Sequence, residues 1–174
     1  ARLDLGRGLT AGMILLNIGT ALCASGHPRE ALLSYSDACR AWAALLPPRD
    51  ARWAALYNNM AGAYEANGEF DFALTHYEKA VAVLSAGDPS PDLGLTYINM
   101  AMSCHRNDPE DERIGTYVKA ALDALNDGRL AHDAYYAHTL RKCTDPLSYL
   151  GYFRAAGIYR KEADGIYERN RTGS

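Results

Sequence analysis

One short segment occurs three times along this chain of 174 residues. Each copy contains an Asn, then a large apolar residue, then Gly or Ala, and the copies lie 42 and 40 residues apart: Asn17-Ile18-Gly19, Asn59-Met60-Ala61 and Asn99-Met100-Ala101. A period of about 40 residues is typical of solenoids, in which each unit buries its apolar face against the next. The repeat therefore predicts a stack of similar units.

A second set of positions follows the same period. Four residues of the first copy recur 42 residues later, as Ala31, Tyr35, Ala38 and Gly26 return as Ala73, Tyr77, Ala80 and Gly68. In the third copy a displacement of 40 retains Tyr117 and Ala120 but brings Arg113 to the position of the small residue. Arg cannot pack into a tight helix crossing, so we expect the fifth and sixth helices to be splayed or slightly shifted in register.

Residues 67–80, Asn-Gly-Glu-Phe-Asp-Phe-Ala-Leu-Thr-His-Tyr-Glu-Lys-Ala, resemble the turn and second helix of a tetratricopeptide repeat. The long period and the Gly-Asp-Pro-Ser-Pro-Asp segment at 87–92 are similar to the repeats of kinesin light chain and its bacterial relatives, rather than to the common 34-residue type. The resemblance implies an all-α, right-handed superhelical solenoid of antiparallel helix pairs.

Helix start signals agree with this period. Pro28, Pro91, Pro109 and Pro146 each follow a capping or turn residue, which suits the first position of a helix. No stretch alternates polar and apolar residues as a strand would. The pattern predicts eight helices, at 8–25, 28–46, 51–67, 70–86, 91–106, 109–126, 129–143 and 146–169.

We predict one domain over residues 1–174, with the last helix as a C-terminal cap. Its repeats span about 12–47, 54–86 and 94–126, followed by a degenerate pair at 129–169. Evidence for that fourth pair is limited to Tyr135, Thr139 and Gly151, which fall at the expected spacings.

Charge and cysteine content exclude several classes of function. The net charge of −3 supplies no basic surface for nucleic acid or anionic lipid. Four widely spaced cysteines without a Cys-x-x-Cys pair do not match zinc or redox motifs, and they suggest free thiols in a cytoplasmic protein. The apolar residues 7–25 are interrupted by Asn17, and we expect no run long enough to span a bilayer.

Catalytic and metal-binding motifs are not evident. The chain has no Gly-rich phosphate loop, no His-Glu-x-x-His and no calcium loop, so we expect a protein that is not an enzyme and needs no cofactor or metal. Cys104 and His105, with His132 and His138, could form a nucleophile pair, but Cys104 stands where other copies have buried apolar residues. We expect His27 and His76 at the surface.

The resemblance implies that the first helix of each pair lines a concave groove. Asn17, Asn59 and Asn99 would lie there in series, and an Asn can both donate to and accept from the backbone of an extended peptide. Alternatively, each Asn bonds to the neighbouring helix. The same face carries the other candidate groove residues, whose apolar members also fit a core between helices: Leu16, Thr20, Asn58, Glu65, Leu95, Ile98, Met102, His105 and Tyr136.

These features predict a protein–protein interaction module that binds a peptide segment of a partner protein in its groove. Two alternatives stay open. The chain could self-associate as a scaffold, or it could be the peptide-sensing or metabolite-sensing half of a regulator whose effector region lies outside these residues.

Overall fold

The computed structural model describes residues 2–172, with side chains from Gly6 onward. This part of the chain contains eight α-helices and no strand, which confirms the predicted all-α repeat fold. The helices are α1 (Arg2–Ala24), α2 (Pro28–Trp42), α3 (Ala51–Ala66), α4 (Phe70–Ser85), α5 (Pro91–Asn107), α6 (Arg113–Leu125), α7 (Ala134–Tyr149) and α8 (Phe153–Thr172).

The helices form two compact units. The first unit, Ala1–Gly87, holds α1 to α4, and the second unit, Asp88–Ser174, holds α5 to α8. Consecutive helices pack as the pairs α1–α2, α3–α4, α5–α6 and α7–α8. In the first unit α2 also packs against α3, and in the second unit α5 packs against α7.

Three of the four pairs share one type of hairpin turn. Gly26, Gly68 and Gly151 have φ values of 81°, 76° and 87°, a conformation that residues with a Cβ rarely adopt. The residue after each glycine donates its N–H to a carbonyl five positions back, at 2.9, 2.9 and 2.8 Å respectively. This arrangement is the Schellman ending of a helix, and it turns the chain directly into the second helix of the pair.

The third pair uses a different connection. Asp108 and Pro109 begin a turn in which the Asp108 carboxylate accepts the N–H of Glu110 at 3.0 Å. Helix α6 therefore begins at Arg113, and Pro109 is not its first residue as predicted. The loop is longer than the Gly-containing turns, so α6 enters its pair one position later in the repeat.

The register of α6 corrects the displacement of 40. Its buried residues are Val118, Ala121 and Leu125, which correspond at a displacement of 41 to Tyr77, Ala80 and Leu84 of α4. Helix α5 keeps the displacement of 40. The predicted shift in register is thus present, and Ile114 rather than Arg113 stands where α4 has its buried Ala73.

The boundaries of α7 and α8 differ from prediction. Asp133 caps α7 by accepting the N–H of Tyr136 at 2.9 Å, so this helix begins at Ala134 instead of 129. Helix α7 continues through Pro146, which lies in its last turn. The missing N–H of this proline removes one helical hydrogen bond, and few helical residues follow it. Gly151, and not Pro146, separates α7 from α8.

Each unit has its own apolar core. In the first unit Gly12 and Gly19 of α1 lie directly against the rings of Trp42 and Tyr35, where a Cβ would collide with the ring atoms. In the second unit Gly94 lies in the same way against Leu125. The largest fully buried side chains are Trp42, Tyr35 and Leu56 in the first unit, and Ile98, Leu125, Leu140, Leu147 and Ile166 in the second.

Helix α1 is longer and more apolar than expected. Gly6–Ala24 spans 19 residues with a mean hydropathy of 1.3, which is enough by length and composition to cross a membrane. The expectation that no run reaches this length is therefore wrong, because Asn17 lowers the average only slightly. Within the first unit α1 packs on α2, and Trp42 donates its indole N–H to the Leu9 carbonyl at 3.2 Å.

Candidate functional site

The three repeated asparagines lie on first helices of their pairs. Asn17 is exposed on α1 and Asn59 is half-buried on α3, both in the first unit, whereas Asn99 is half-buried on α5 in the second unit. Within the described residues, none of the three side-chain amides is hydrogen-bonded to another part of the chain. The described residues therefore offer no support for the alternative in which each Asn bonds to a neighbouring helix.

The remaining candidates of the first unit differ in exposure. Thr20 is exposed on α1, and its hydroxyl donates to the carbonyl of Leu16 at 3.0 Å. Asn58 and Glu65 are half-buried on α3. Leu16 is only 7% exposed and belongs to the core with Tyr35 and Trp42, so it is not available to a ligand.

The candidates of the second unit divide in the same way. Leu95 and Met102 are half-buried and pack against the core, and the His105 ring makes an edge contact with Tyr149, with centroids 5.3 Å apart. Ile98 and Tyr136 are fully buried, and the Tyr136 hydroxyl donates to the Leu125 carbonyl at 3.2 Å. The apolar stripe of a first helix thus contains both core residues and surface residues. The sequence alone did not show which of them are buried.

An aromatic cluster between α3 and α4 was not predicted. Tyr64 stacks on Phe72 at 5.4 Å between ring centroids, and its ring also lies 4.9 Å from that of His76. His76 is only 8% exposed, contrary to the expected surface position, and its Nδ1 lies 2.8 Å from the Phe72 carbonyl oxygen. Burial lowers the pKa of His76. The sequence signal was the i, i+4 spacing of Phe72 and His76 on one helix face.

A recurring Asp-x-Arg motif was also overlooked. In each of three copies the carboxylate accepts the N–H of the Arg two residues later, at 2.8 to 3.0 Å, while the guanidinium returns to the same carboxylate at 2.6 to 2.7 Å. The guanidinium lowers the pKa of the Asp in each copy, to about 2 in the second and third. Each motif stabilises a turn. Asp50/Arg52 lies at the start of α3, Asp111/Arg113 at the start of α6, and Asp127/Arg129 in the α6–α7 loop.

The residues considered for a cysteine nucleophile lie in separate environments. Cys104 is 1% exposed, and burial raises the pKa of the equally buried Cys143 to about 12. His132 pairs with Glu162 at 3.0 Å and stacks on Tyr136, while His105 contacts Tyr149. Across residues 6–172 no group of three or more His, Cys, Asp or Glu side chains is arranged to hold a metal ion.

Comparison with known proteins supports the class that the fold defines. The sequence model of the tetratricopeptide repeat family matches residues 54–113, about a third of the chain, which includes α4 and α5. A comparison with curated protein sequences gave no significant match.

Solved structures extend the likeness to nearly the whole chain. BtubC (BKLC) from P. vanneervenii matches 92% of this chain with a TM-score of 0.62 and 18% identity. Kinesin light chain-like, nearly identical TPR-like repeats from Podosopora anserina match 90% of it, with a TM-score of 0.55 and 14% identity, and a single-substitution variant of these repeats matches 92%, with 0.57 and 15%. The fold is therefore that of a tetratricopeptide-like helical repeat of the kinesin light chain type.

The matched structures are longer than this chain. The match covers 64% of BtubC, 74% of the Podosopora anserina repeats and 76% of their variant. At these identities the likeness concerns the fold.

Proposed function

We propose that this protein is a non-enzymatic interaction module, in which the first helices of the repeats within each unit bind a peptide segment of a partner protein. Proteins of this repeat fold generally mediate protein–protein interaction. The proposal of peptide binding rests on one observation. The amides of Asn17, Asn59 and Asn99 have no hydrogen-bonding partner among the described residues.

These amides suit the backbone of an extended peptide. Each presents one acceptor and two donor hydrogens, so one side chain can pair with both the N–H and the C=O of a bound residue. Recognition of this kind depends on the peptide backbone, and neighbouring side chains such as Thr20 and Met102 would add preference for particular residues. Because the amides are exposed or half-buried, water satisfies them when no peptide is present.

The test uses a peptide selected from a displayed library of random 12-residue sequences. We expect Asn59→Ala and Asn99→Ala together to weaken the affinity for that peptide by about tenfold or more, since each lost hydrogen bond contributes about 0.5–1.5 kcal/mol. The melting temperature should stay within about a degree of wild type, because no intramolecular bond is removed.

Asn170→Ala is the matched control. Asn170 lies on α8 and is exposed, and it has the same side chain on a different element. Equal affinities of the double variant, the control and wild type would remove the asparagines from the binding mechanism. A lower melting temperature for the double variant, but not for the control, would instead indicate that the asparagines stabilise the fold.

The proposal also includes a non-catalytic role for the cysteines and a cytoplasmic location for the protein. The burial of Cys104 and Cys143, and the raised pKa of Cys143, support a non-catalytic role for these thiols. None of the four cysteines forms a disulfide bond within the described residues, which supports a cytoplasmic location, and the acidic net charge supports a partner other than nucleic acid. Helix α1 packs on α2, but only 17% of its Gly6–Ala24 span is buried, and cell fractionation of the natural protein tests whether this helix enters a membrane.

A second candidate function is self-association through α1. Met13, Ile14 and Ile18 are 39%, 53% and 45% exposed, so one side of this helix presents contiguous apolar surface. If this side joins two copies, light scattering over a dilution series will give a mass that falls with dilution. Ile14→Glu with Ile18→Glu should then yield a monomer at all concentrations, whereas a wild-type monomer would exclude this candidate.

A further inference from the structure

A cavity of about 540 Å³ lies in the second unit, between the end of α6 and the start of α8. Its volume is within the range of small-molecule sites, roughly 300–1,000 Å³. The walls are mainly apolar and include two large side chains with high exposure, Phe153 at 72% and Ile158 at 52%. Leu122, Ala155 and Tyr159 complete the apolar lining.

The charge at the cavity is positive. Arg154 is the one charged residue among those that line it, and this guanidinium forms no ion pair with the described part of the chain. Burial raises the pKa of Tyr159, and Glu162 and Asp123 add to this effect, but neither carboxylate lines the cavity. Glu162 contacts His132. Arg154 is therefore the charged side chain that a ligand meets in the lining, and the two carboxylates lie outside the lining near Tyr159.

The start of α8 adds to this preference. Tyr152 precedes the helix and its carbonyl accepts the Ala156 N–H at 3.1 Å, so the N–H groups of residues 153–155 have no acceptor within the helix. These groups and the positive end of the helix dipole favour a negative charge beside Arg154. The lining thus combines the start of α8 and Arg154 with the apolar side chains of Leu122 and Ile158.

We infer that this cavity binds a small monocarboxylate with an apolar body, such as a medium-chain fatty acid, whose carboxylate contacts Arg154 and whose chain contacts Leu122, Ile158 and Tyr159. This site is separate from the asparagines of the proposed peptide surface, none of which lines the cavity. The two proposals can therefore fail independently.

Decanoate is the probe, and decanol is its uncharged counterpart. Titration of the full chain, followed by calorimetry and by amide shifts in NMR spectra, should show saturable binding of decanoate with the largest shifts at residues 151–158. Arg154→Gln should weaken decanoate binding by about tenfold or more, because a charge-assisted hydrogen bond is lost, and should leave decanol binding unchanged. Ile158→Glu should abolish binding of both compounds.

Arg160→Gln is the matched control, because Arg160 is exposed on the same helix but does not line the cavity. Circular dichroism verifies that each variant is folded. Equal binding of decanoate and decanol, an equal effect of Arg154→Gln and Arg160→Gln, or amide shifts centred outside residues 151–158 would each overturn the inference. The absence of saturable decanoate binding below its micelle concentration would do the same.

Discussion

The second and third helix pairs bury corresponding residues but connect their helices differently. Between α3 and α4, Gly68 adopts a positive φ and the turn is short. Between α5 and α6, Asp108 organises a longer loop by accepting the Glu110 N–H, and α6 enters one position later. The buried set Val118, Ala121 and Leu125 is nevertheless restored. Packing between helices therefore sets the register, and the loop adapts its length.

The largest expected effect tests whether Leu84 and Leu125 occupy equivalent core positions. Both are buried, at 8% and 1% exposure. Leu84→Ala and Leu125→Ala should each lower the free energy of unfolding by about 2–5 kcal/mol, through lost apolar burial and a residual cavity. Urea denaturation measures both. A Leu125→Ala variant as stable as wild type would contradict the displacement of 41.

Overpacking distinguishes the close crossing of the second pair from its outer surface. Ala73 is fully buried on α4, whereas Ala82 on the same helix is exposed. Ala73→Leu should destabilise the protein by about 1–3 kcal/mol, because the added methylenes displace packed neighbours. Ala82→Leu should stay within about 0.5 kcal/mol of wild type. Equal thermal melts for the two variants would disprove the close crossing at Ala73.

Glycine substitutions distinguish the turn from the helix that precedes it. Gly68→Ala should cost about 1–2 kcal/mol, since alanine is strained at a φ of 76°. Gly62→Ala, within α3 and with no atom close to the added Cβ, should instead stabilise the protein by about 0.5–1 kcal/mol. Chemical denaturation compares the signs, and stabilisation by both substitutions would show that the turn does not require a glycine.

The smallest effect is the pH dependence from His76. Burial lowers the pKa of this side chain from its ordinary value of 6.5, so the unfolded chain binds its proton at a higher pH than the folded chain does. Stability should therefore decline as the pH falls below about 6.5. His76→Gln should reduce this decline and His27→Gln, at an exposed position, should not. Urea denaturation at pH 7.5, 6.5 and 5.5 measures the free energy of unfolding of each variant. If this free energy falls with pH as steeply in His76→Gln as in wild type, His76 is not the source of the decline.

Some errors in the sequence interpretation have identifiable physical causes. Pro109 and Pro146 carried the same local signal as Pro28 and Pro91, yet the first lies in a turn and the second in the last turn of α7. A proline restricts its own φ and removes one donor, which is compatible with several local structures. Gly151 was the more reliable marker of the hairpin turn, because this turn requires a positive φ that few other residues adopt.

The sequence by itself determined the all-α repeat, the approximate positions of eight helices and the Gly26 and Gly68 turns, because helical periodicity and glycine conformation are local properties. Tertiary structure alone decided which members of an apolar stripe are core, as with Ile98 and Tyr136, and which are open, as with Asn17. It also decided the size of the register shift in α6 and the burial of His76. These outcomes depend on which neighbouring helix covers a given face, and that information is distributed over residues far apart in the chain.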